Sequence, residues 1–519
     1  LFTVQAPTLG IERVQATGTA LVPTYFALAK PTVGTHAITV SVRTEAGEDT
    51  VERTITIAPS FFTKHELLTI DAAPGVGLPP LGRAETTLLI ASAGRAALLP
   101  EIQGVADLEG TRLDTLVARL VAKTLLRDAY QTPAMLFETE QLSSYQSTEP
   151  KGGLKLLPYG SSDLLLTADV AMTAPDYFDT SLLSASFAQV LGHASSTRDE
   201  QIAALAALAS LHQPVVGDLK ALAARTDLTT RQRLWIAQGL LQAGDRDTAT
   251  ALVMRLLTQT KRLENQLFLD LDRIPDEIAQ TAELAALAAS LNLPEAEALH
   301  AYVESMWSQE AFPVLAKVRY LRARVVVLPI QDGNVSWSVG GEKEESMDLK
   351  EEPVRSLILT AAEAQQFRIK TLSGNVRLML IRSVVGRPSS VPSLQISRSY
   401  ERASSTSAFR EGDELQIVLL PKWQTDAREG CYLLRDHLPG GFQPVLRLGS
   451  STRQSYLQDF DPTTGEVSFI TCKQPAPLPI TYTARVVTRG AYTAEAPVIE
   501  HLEYPSIASV GQDERIEIR

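Results

Sequence analysis

The sequence predicts a multidomain protein of mixed α and β type, with a block of helices set into a chain that is otherwise β. Three observations carry this. The length of 519 residues exceeds what one hydrophobic core supports, so three or four domains are expected. The hydrophobic period is two near the N-terminus, becomes helical near Leu113 and returns to two beyond Val318. Alanine and leucine dominate between those points, until about Trp307. The order of elements is therefore β, helical, β, β.

The N-terminal part reads as strands. Ile38–Arg43 alternates branched apolar with polar residues, Glu45–Asp49 is a polar turn, and Val51–Ile57 alternates over its second half. The Pro/Gly-rich stretch around Pro79 is a loop, and Thr86–Ala91 another strand. Leu113, Leu116, Val117, Leu120 and Val121 then fall at helical spacing. Ile202, Leu205, Leu208 and Leu211 mark a second helix. Thr229-Thr-Arg-Gln232 is a capping box: the threonine hydroxyl accepts from the third amide and the glutamine reaches back. It opens a helix carrying Leu234, Trp235 and Leu241, which Gly244 ends. Asp245 caps the next, with Leu252, Val253, Leu256 and Leu257. Leu284, Leu287 and Leu291 follow, then Pro294 at a first helical position. Short helices with tight connections form an α-solenoid or a closed α/α toroid. No strict repeat of roughly 34 or 40 residues occurs, which weighs against a regular array.

Strand patterns return at Ala323–Leu328, Val335–Val339, Phe367–Lys370 and Val376–Ile381, and continue to the end. The charged run Gly340–Ser346 reads as a solvated hairpin tip and Pro388–Pro392 as an interdomain linker.

Composition excludes several classes. Apolar and charged fractions of 45% and 21% are those of a globular protein. Mean hydropathy is zero and no run of eighteen apolar residues occurs, so no spanning helix is expected. A net charge of −12 argues against nucleic-acid or anionic-membrane partners. The chain opens Leu-Phe-Thr-Val without methionine or signal segment, as expected of a piece of a longer protein. Cys431 and Cys472 are the only cysteines, and no His-x-x-x-His or Cys-x-x-Cys spacing accompanies them, so a zinc site is not expected. They read as a redox pair, a disulfide between two strands of the last domain, or two buried thiols. A bridge closing a loop of about 40 residues would stabilise the domain by about 4 kcal/mol in the chain-entropy model.

The last part of the chain carries the most specific pattern. Tyr432-Leu-Leu-Arg-Asp-His-Leu-Pro-Gly-Gly-Phe442 is a half-buried strand running into a Pro-Gly-Gly turn. Arg485–Tyr492 is a strand broken at Gly490 and resumed after Pro497, in Ala496–Tyr504. Together they resemble the C-terminal receptor-binding-type β-sandwich of bacterial alpha-2-macroglobulin family proteins, with its Asp-x-x-Pro-x-Gly turn before a Gly-x-Tyr/Phe-x-Ala-x-Pro strand. Gly152-Gly-Leu-Lys-Leu-Leu-Pro-Tyr159, followed by Leu164–Val170, is similar to the family's Gly-Gly-Phe-x-x-Trp segment, with leucines in place of its aromatics. The resemblance implies a layout. Residues 1–45 would end a macroglobulin-like domain; 46–100 and 316–388 would form a bipartite CUB-like β-domain; 101–315 would be an inserted α/α-toroid of the thioester type; and 393–519 the receptor-binding-type sandwich. The family is exported, which favours the Cys431–Cys472 disulfide.

In active members of that family a Gly-Cys-x-Glu-Gln stretch forms an internal thioester ahead of a Ser/Thr-Arg-Leu helix. Thr111-Arg-Leu113 fits the helix start and puts Gly104 on the glycine, Val105 on the cysteine, Asp107 on the glutamate and Leu108 on the glutamine. An acyl-sulfur donor cannot form without sulfur, and no cysteine precedes position 431.

Toroids also host glycosidases and zinc-dependent prenyltransferases. Asp163, Asp169, Asp176 and Asp179, with Asp199-Glu200, are candidate acids; Asp176 and Asp179 follow Pro175 in an inter-helix loop, as caps do. His193, His212 and His300 are scattered, with no cysteine near. His437, beside Asp436, reads as turn surface. Trp235 reads as core, Trp337 as packing, and Lys422-Trp423 as sandwich end or partner-binding face. The resemblance implies non-covalent protease trapping or defence at the cell surface, outside the cell or in the periplasm. Proteases would be partners through upstream regions, and no cofactor, small-molecule substrate or catalytic residue is expected. A surface scaffold or adhesion protein keeping the fold is the alternative, and a toroid glycosidase a further one.

Overall fold

The computed structural model describes residues 2–18, 34–44, 47–57, 60, 62–79, 86–108, 110, 112–132, 142–147, 152–158, 160–307, 312–328, 332–340, 344–402, 409–445, 457–461, 465–474, 476, 478–502, 504 and 507–519. The chain forms two units, one of Leu1–Thr63, Val385–His501 and Ser506–Arg519, the other of Lys64–Val384 and Leu502–Pro505.

The chain begins with β1 (Phe2–Ala6), β2 (Ile11–Ala16), β3 (Gly34–Thr44) and β4 (Gly47–Ile57), an antiparallel sheet ordered β2-β1-β3-β4. β3 and β4 pair throughout, from Gly34 opposite Ile57 to Thr44 opposite Gly47. The expected boundary between residues 45 and 46 therefore falls inside a hairpin. Of the expected polar turn, residues 45–46 lie outside the described residues and 47–49 belong to β4, where ladder pairing overrides polar composition.

β5 (Thr63–Asp71) and β6 (Thr86–Ser92) follow. The chain between them is irregular through residue 79, and the rest of the loop expected there lies outside the described residues. Then come α1 (Ala93–Ala106), α2 (Leu113–Tyr130), α3 (Leu164–Thr173), α4 (Thr180–Gly192), α5 (Arg198–Ser210), α6 (Val216–Ala223), α7 (Thr230–Gln242) and α8 (Arg246–Leu257). A hairpin of β7 (Thr260–Leu263) and β8 (Gln266–Leu269) precedes α9 (Ile274–Ser290), α10 (Ala296–Ser305) and α11 (Val314–Val327). Local capping sets several starts. Thr229 and Gln232 form the capping box of α7, Thr197 and Glu200 that of α5, and Asp245 accepts from the Thr248 amide. Gly244 takes a left-handed φ of 86° after α7.

Four expectations are corrected here. The helices start at Ala93 rather than residue 101. The hairpin β7–β8 interrupts a stretch expected to be helical; Leu267 and Leu269 are buried at period two. The strand expected at Ala323–Leu328 is the last part of α11, because buried Leu315, Val318, Leu321 and Val325 keep the helical spacing through the valine run. Pro294 precedes α10 instead of opening it.

α3, α5, α7, α9 and α11 each pack on the next, and α11 packs back on α3. α4, α6, α8 and α10 lie against members of that ring, while α1 and α2 pack on α11. The inter-helix core is alanine-rich (Ala203, Ala204, Ala206, Ala207, Ala285 and Ala288 are buried), which lets the helices approach closely.

After α11, β9 (Asn334–Ser338), β10 (Glu345–Asp348), β11 (Val354–Leu359), α12 (Ala361–Gln366), β12 (Arg368–Ser373) and β13 (Val376–Val385) complete this unit. Two sheets result, β10-β9-β12 and β11-β6-β13-β5. β6, before the helices, pairs with β11 and β13, after them. Its near-continuous apolar run is explained by burial on both faces. Leu88 and Ile90 join Trp337, Phe367 and Leu378 in the core between sheets, while Leu89 and Ala91 join the helical core. β9 and β10 pair as a hairpin around the charged run, of which residues 341–343 lie outside the described residues.

The expected linker Pro388–Pro392 is largely irregular, with one bridge from Ser390 to Ala508. β14 (Leu394–Arg402), β15 (Glu414–Trp423), β16 (Cys431–His437), β17 (Phe442–Pro444), β18 (Leu457–Asp461), β19 (Glu466–Cys472), β20 (Ile480–Val486), β21 (Gly490–Ala494), β22 (Val498–His501), β23 (Ala508–Val510) and β24 (Glu514–Ile518) end the chain. They form sheets β14-β15-β20-β17 and β18-β19-β16-β22-β23 and a β21-β24 ribbon. One core containing Ile417, Leu434, Phe469 and Tyr482 lies between the sheets. Cys431 and Cys472 stand opposite each other on β16 and β19 and form a disulfide, with Cα atoms 3.8 Å apart. The bridge joins neighbouring strands of one sheet rather than the two sheets.

Candidate functional site

Gly104 and Val105 lie in the last turn of α1, and Asp107 is its C-cap. Val105 is buried, Leu108 is half-buried, and Gly104 is exposed. The Gln103 amide donates to Asp107 Oδ1 at 2.9 Å, and Arg119 donates to the Leu108 carbonyl at 3.1 Å, tying the segment to α2. Thr111 lies outside the described residues; Arg112 is the N-cap of α2 and grips Asp114 with two hydrogen bonds, of 3.0 and 2.6 Å. Chemically the segment is a capped, apolar helix end.

Gly104, Val105 and Leu108 line a cavity of about 750 Å³, with Trp235 and Trp307. The N-terminal ends of α2, α3, α7, α9 and α11 open onto it. Several of its charges are engaged. Lys317 pairs with Glu101 at 2.5 Å, and Arg231 stacks over Trp235, 4.4 Å from the ring centroid. Deeper, Arg319 of α11 bonds Asp169 of α3 at 3.1 Å and Glu283 of α9 at 2.9 Å. Burial pushes the Glu283 carboxyl up, against the pull of Arg319. Burial alone would lower the Arg319 guanidinium, and the two carboxylates more than offset it.

The remaining candidate acids act as caps or partners. Asp163 caps α3 through the Leu166 amide, and Asp179 caps α4 through the Ser181 and Leu182 amides. Hydrogen bonding from Ser181 holds the Asp179 carboxyl below its usual range. Asp199 accepts from Gln232, Glu200 completes a capping box, and Asp176 sits in a single 3-10 turn. His193 is exposed, His212 ends a turn at φ 58°, and His300 is buried against the Tyr320 hydroxyl at 2.9 Å. Among the described residues no group of three His, Cys, Asp or Glu is arranged to hold a metal ion.

In the sandwich, Asp436 and His437 are buried residues of β16, not turn surface. Arg398 Nη1 donates to Asp436 Oδ1 at 2.5 Å and the Tyr482 hydroxyl to Oδ2 at 2.6 Å. Arg398 also donates to the carbonyls of Glu495 at 2.9 Å and Ala494 at 3.1 Å. A Cβ on Gly441 would lie 2.6 Å from the Tyr492 ring and 2.4 Å from Ile518. The two sequence blocks that mark this region are thus joined twice, by an arginine that neither contains and by the fit of Tyr492 onto Gly441. His437 contacts Glu466 at 3.1 Å and the Phe62 ring edge-on. Trp337 is core, and Trp423 is half-buried, tilted against Tyr432 at 5.7 Å. Sequence reasoning missed Arg398. Its signal is an arginine on the apolar face of a period-two strand, in line with Leu394, Ile396 and Tyr400.

No family model matches the sequence, and no curated protein matches it. Solved structures do. Native alpha-2-macroglobulin from Escherichia coli, spanning domain MG7 to the C-terminus, superposes with a TM-score of 0.62 at 17% identity, over 94% of this chain and 88% of that one. Salmonella alpha-2-macroglobulin reacted with methylamine gives 0.64 at 16% identity, over 94% of this chain and 36% of that one. The E. coli protein in its native conformation, seen by cryo-electron microscopy, gives 0.61 at 18%, over 94% and 35%. The likeness is one of fold, and this chain spans about a third of the two longer proteins. No helix among the described residues is long and apolar enough to cross a membrane.

Proposed function

We propose that this chain is the C-terminal part of a bacterial alpha-2-macroglobulin-like protein without a thioester. The whole protein retains proteases non-covalently, at the cell surface or in the periplasm. The observation that carries the reading is that no cysteine precedes Cys431 and that the chain's two cysteines are bonded to each other; in the register the resemblance implies, Val105 and Leu108 take the places where an acyl donor needs sulfur and a carboxamide. The fold supports the accompanying layout. β1–β4 form the end of a macroglobulin-like domain; β5, β6 and β9–β13 a CUB-like domain; the ring of α3, α5, α7, α9 and α11 with its outer helices an α/α toroid; and β14–β24 the receptor-binding-type sandwich. The toroid is not an enzyme in this reading, because Asp169 and Glu283, the acids that line its cavity beside Trp235, are engaged by Arg319.

The test incubates the full-length protein with several proteases. Cleavage-linked compaction, with protease retained and then released intact by denaturant, is expected. Protease that stays attached after denaturation, or is never retained, contradicts the proposal.

A further inference from the structure

A second cavity, of about 390 Å³, opens where α3, α7, α9 and α11 end, lined by Met172, Leu241, Ala286, Ala323 and Val326. Val326 is 80% exposed, more than the other large apolar side chains exposed among the described residues. One cation at this mouth, Arg322, feels the carboxylate of Asp176 electrostatically but is in no direct ion pair among the described residues. It lies one turn before Val326 and donates to the Thr173 carbonyl at 2.6 Å. Gln238 and Gln242, one turn apart on α7, line the same cavity, and their carboxamides have no hydrogen-bond partner among the described residues. The Arg319–Glu283 pair, already compensated, also lines it.

From this arrangement we infer that the cavity binds the carboxyl terminus of a peptide ending in a small aliphatic residue. The terminal carboxylate pairs with Arg322, the side chain enters the pit left by the alanines, and the last peptide group bonds Gln238 and Gln242. A guanidinium with unused donors selects a carboxylate, and an apolar pit with a few polar groups at its rim has the character of a ligand site. The helix carbonyl ends that meet here oppose an anion in general, so binding depends on direct contact with Arg322. The paired carboxamides favour a peptide over an alkyl carboxylate, which has no amide to match them. This inference does not depend on the protease-trap reading.

The test uses the full chain and a fluorescein-labelled short peptide ending in Ala-Val, as free acid and as C-terminal amide, followed by fluorescence polarisation. The acid should bind about tenfold more tightly than the amide. Arg322→Gln should abolish that difference, and Ala286→Phe should weaken both by filling the pit. Arg322→Gln alone decides the matter if Ala286→Phe fails to fold. Equal binding of acid and amide, no binding of either, or displacement by octanoate as effective as by unlabelled peptide acid would each overturn the inference.

Discussion

The C-terminal sandwich and the end of α1 both carry the residues that suggest a family, and the fold uses them in opposite ways. In the sandwich the motif is packing. Asp436 neutralises a buried arginine, and Gly441 leaves the space that Tyr492 and Ile518 fill. At α1 the glycine that the proposed reading aligns with the family's, Gly104, is exposed, has an ordinary helical backbone and would meet nothing within 4 Å if it gained a Cβ. Where core packing requires a motif residue, it can persist without any chemistry. Where only chemistry requires it, the fold tolerates its replacement.

The largest expected effect lies in the sandwich. Asp436→Ala leaves Arg398 buried without its carboxylate and should cost about 3–5 kcal/mol. Asp107→Ala, at the α1 cap, loses a hydrogen bond from Gln103 and should cost about 1 kcal/mol. Urea unfolding of both variants checks the contrast; equal losses would break it. The helical unit should instead respond to acid. Burial holds the His300 pKa down to about 4, below its ordinary 6.5. A base depressed in the folded state contributes stability above its unfolded pKa, and loses it as pH falls from about 6.5 toward 4, here about 3 kcal/mol. Following the helical circular-dichroism signal in urea at a series of pH values should show this slope, and His300→Gln should flatten it. The glycines give the smallest effects and the sharpest comparison. Gly441→Ala should destabilise by about 1–3 kcal/mol through overpacking. Gly104→Ala should stabilise by up to about 1 kcal/mol, because alanine is the better helix former. Thermal unfolding showing the same sign for both would remove the distinction.

What could be read from the sequence was local. The period of Leu113–Val121, the capping box at Thr229 and the alternating strands needed only neighbours a few residues away to reveal themselves. The features that escaped depend on distant partners. The polar run at 45–49 reads as a turn along its whole length until residues 47–49 are seen to pair within β4. The valines of 325–327 look like a strand until the burial of Leu315 and Leu321 sets the helical phase. Asp436 is separated from Arg398 by 38 residues, and Arg319 from Asp169 by 150, so no local pattern announces either pair.

Non-covalent retention requires that residues 104–108 hold no acyl donor, and methylamine tests that directly. The native full-length protein is incubated with methylamine, digested and examined by mass spectrometry, with free thiols titrated in parallel. The peptide covering residues 100–115 should keep its unmodified mass and no thiol should be released. A methylamine adduct on a side-chain amide in that peptide would contradict the account.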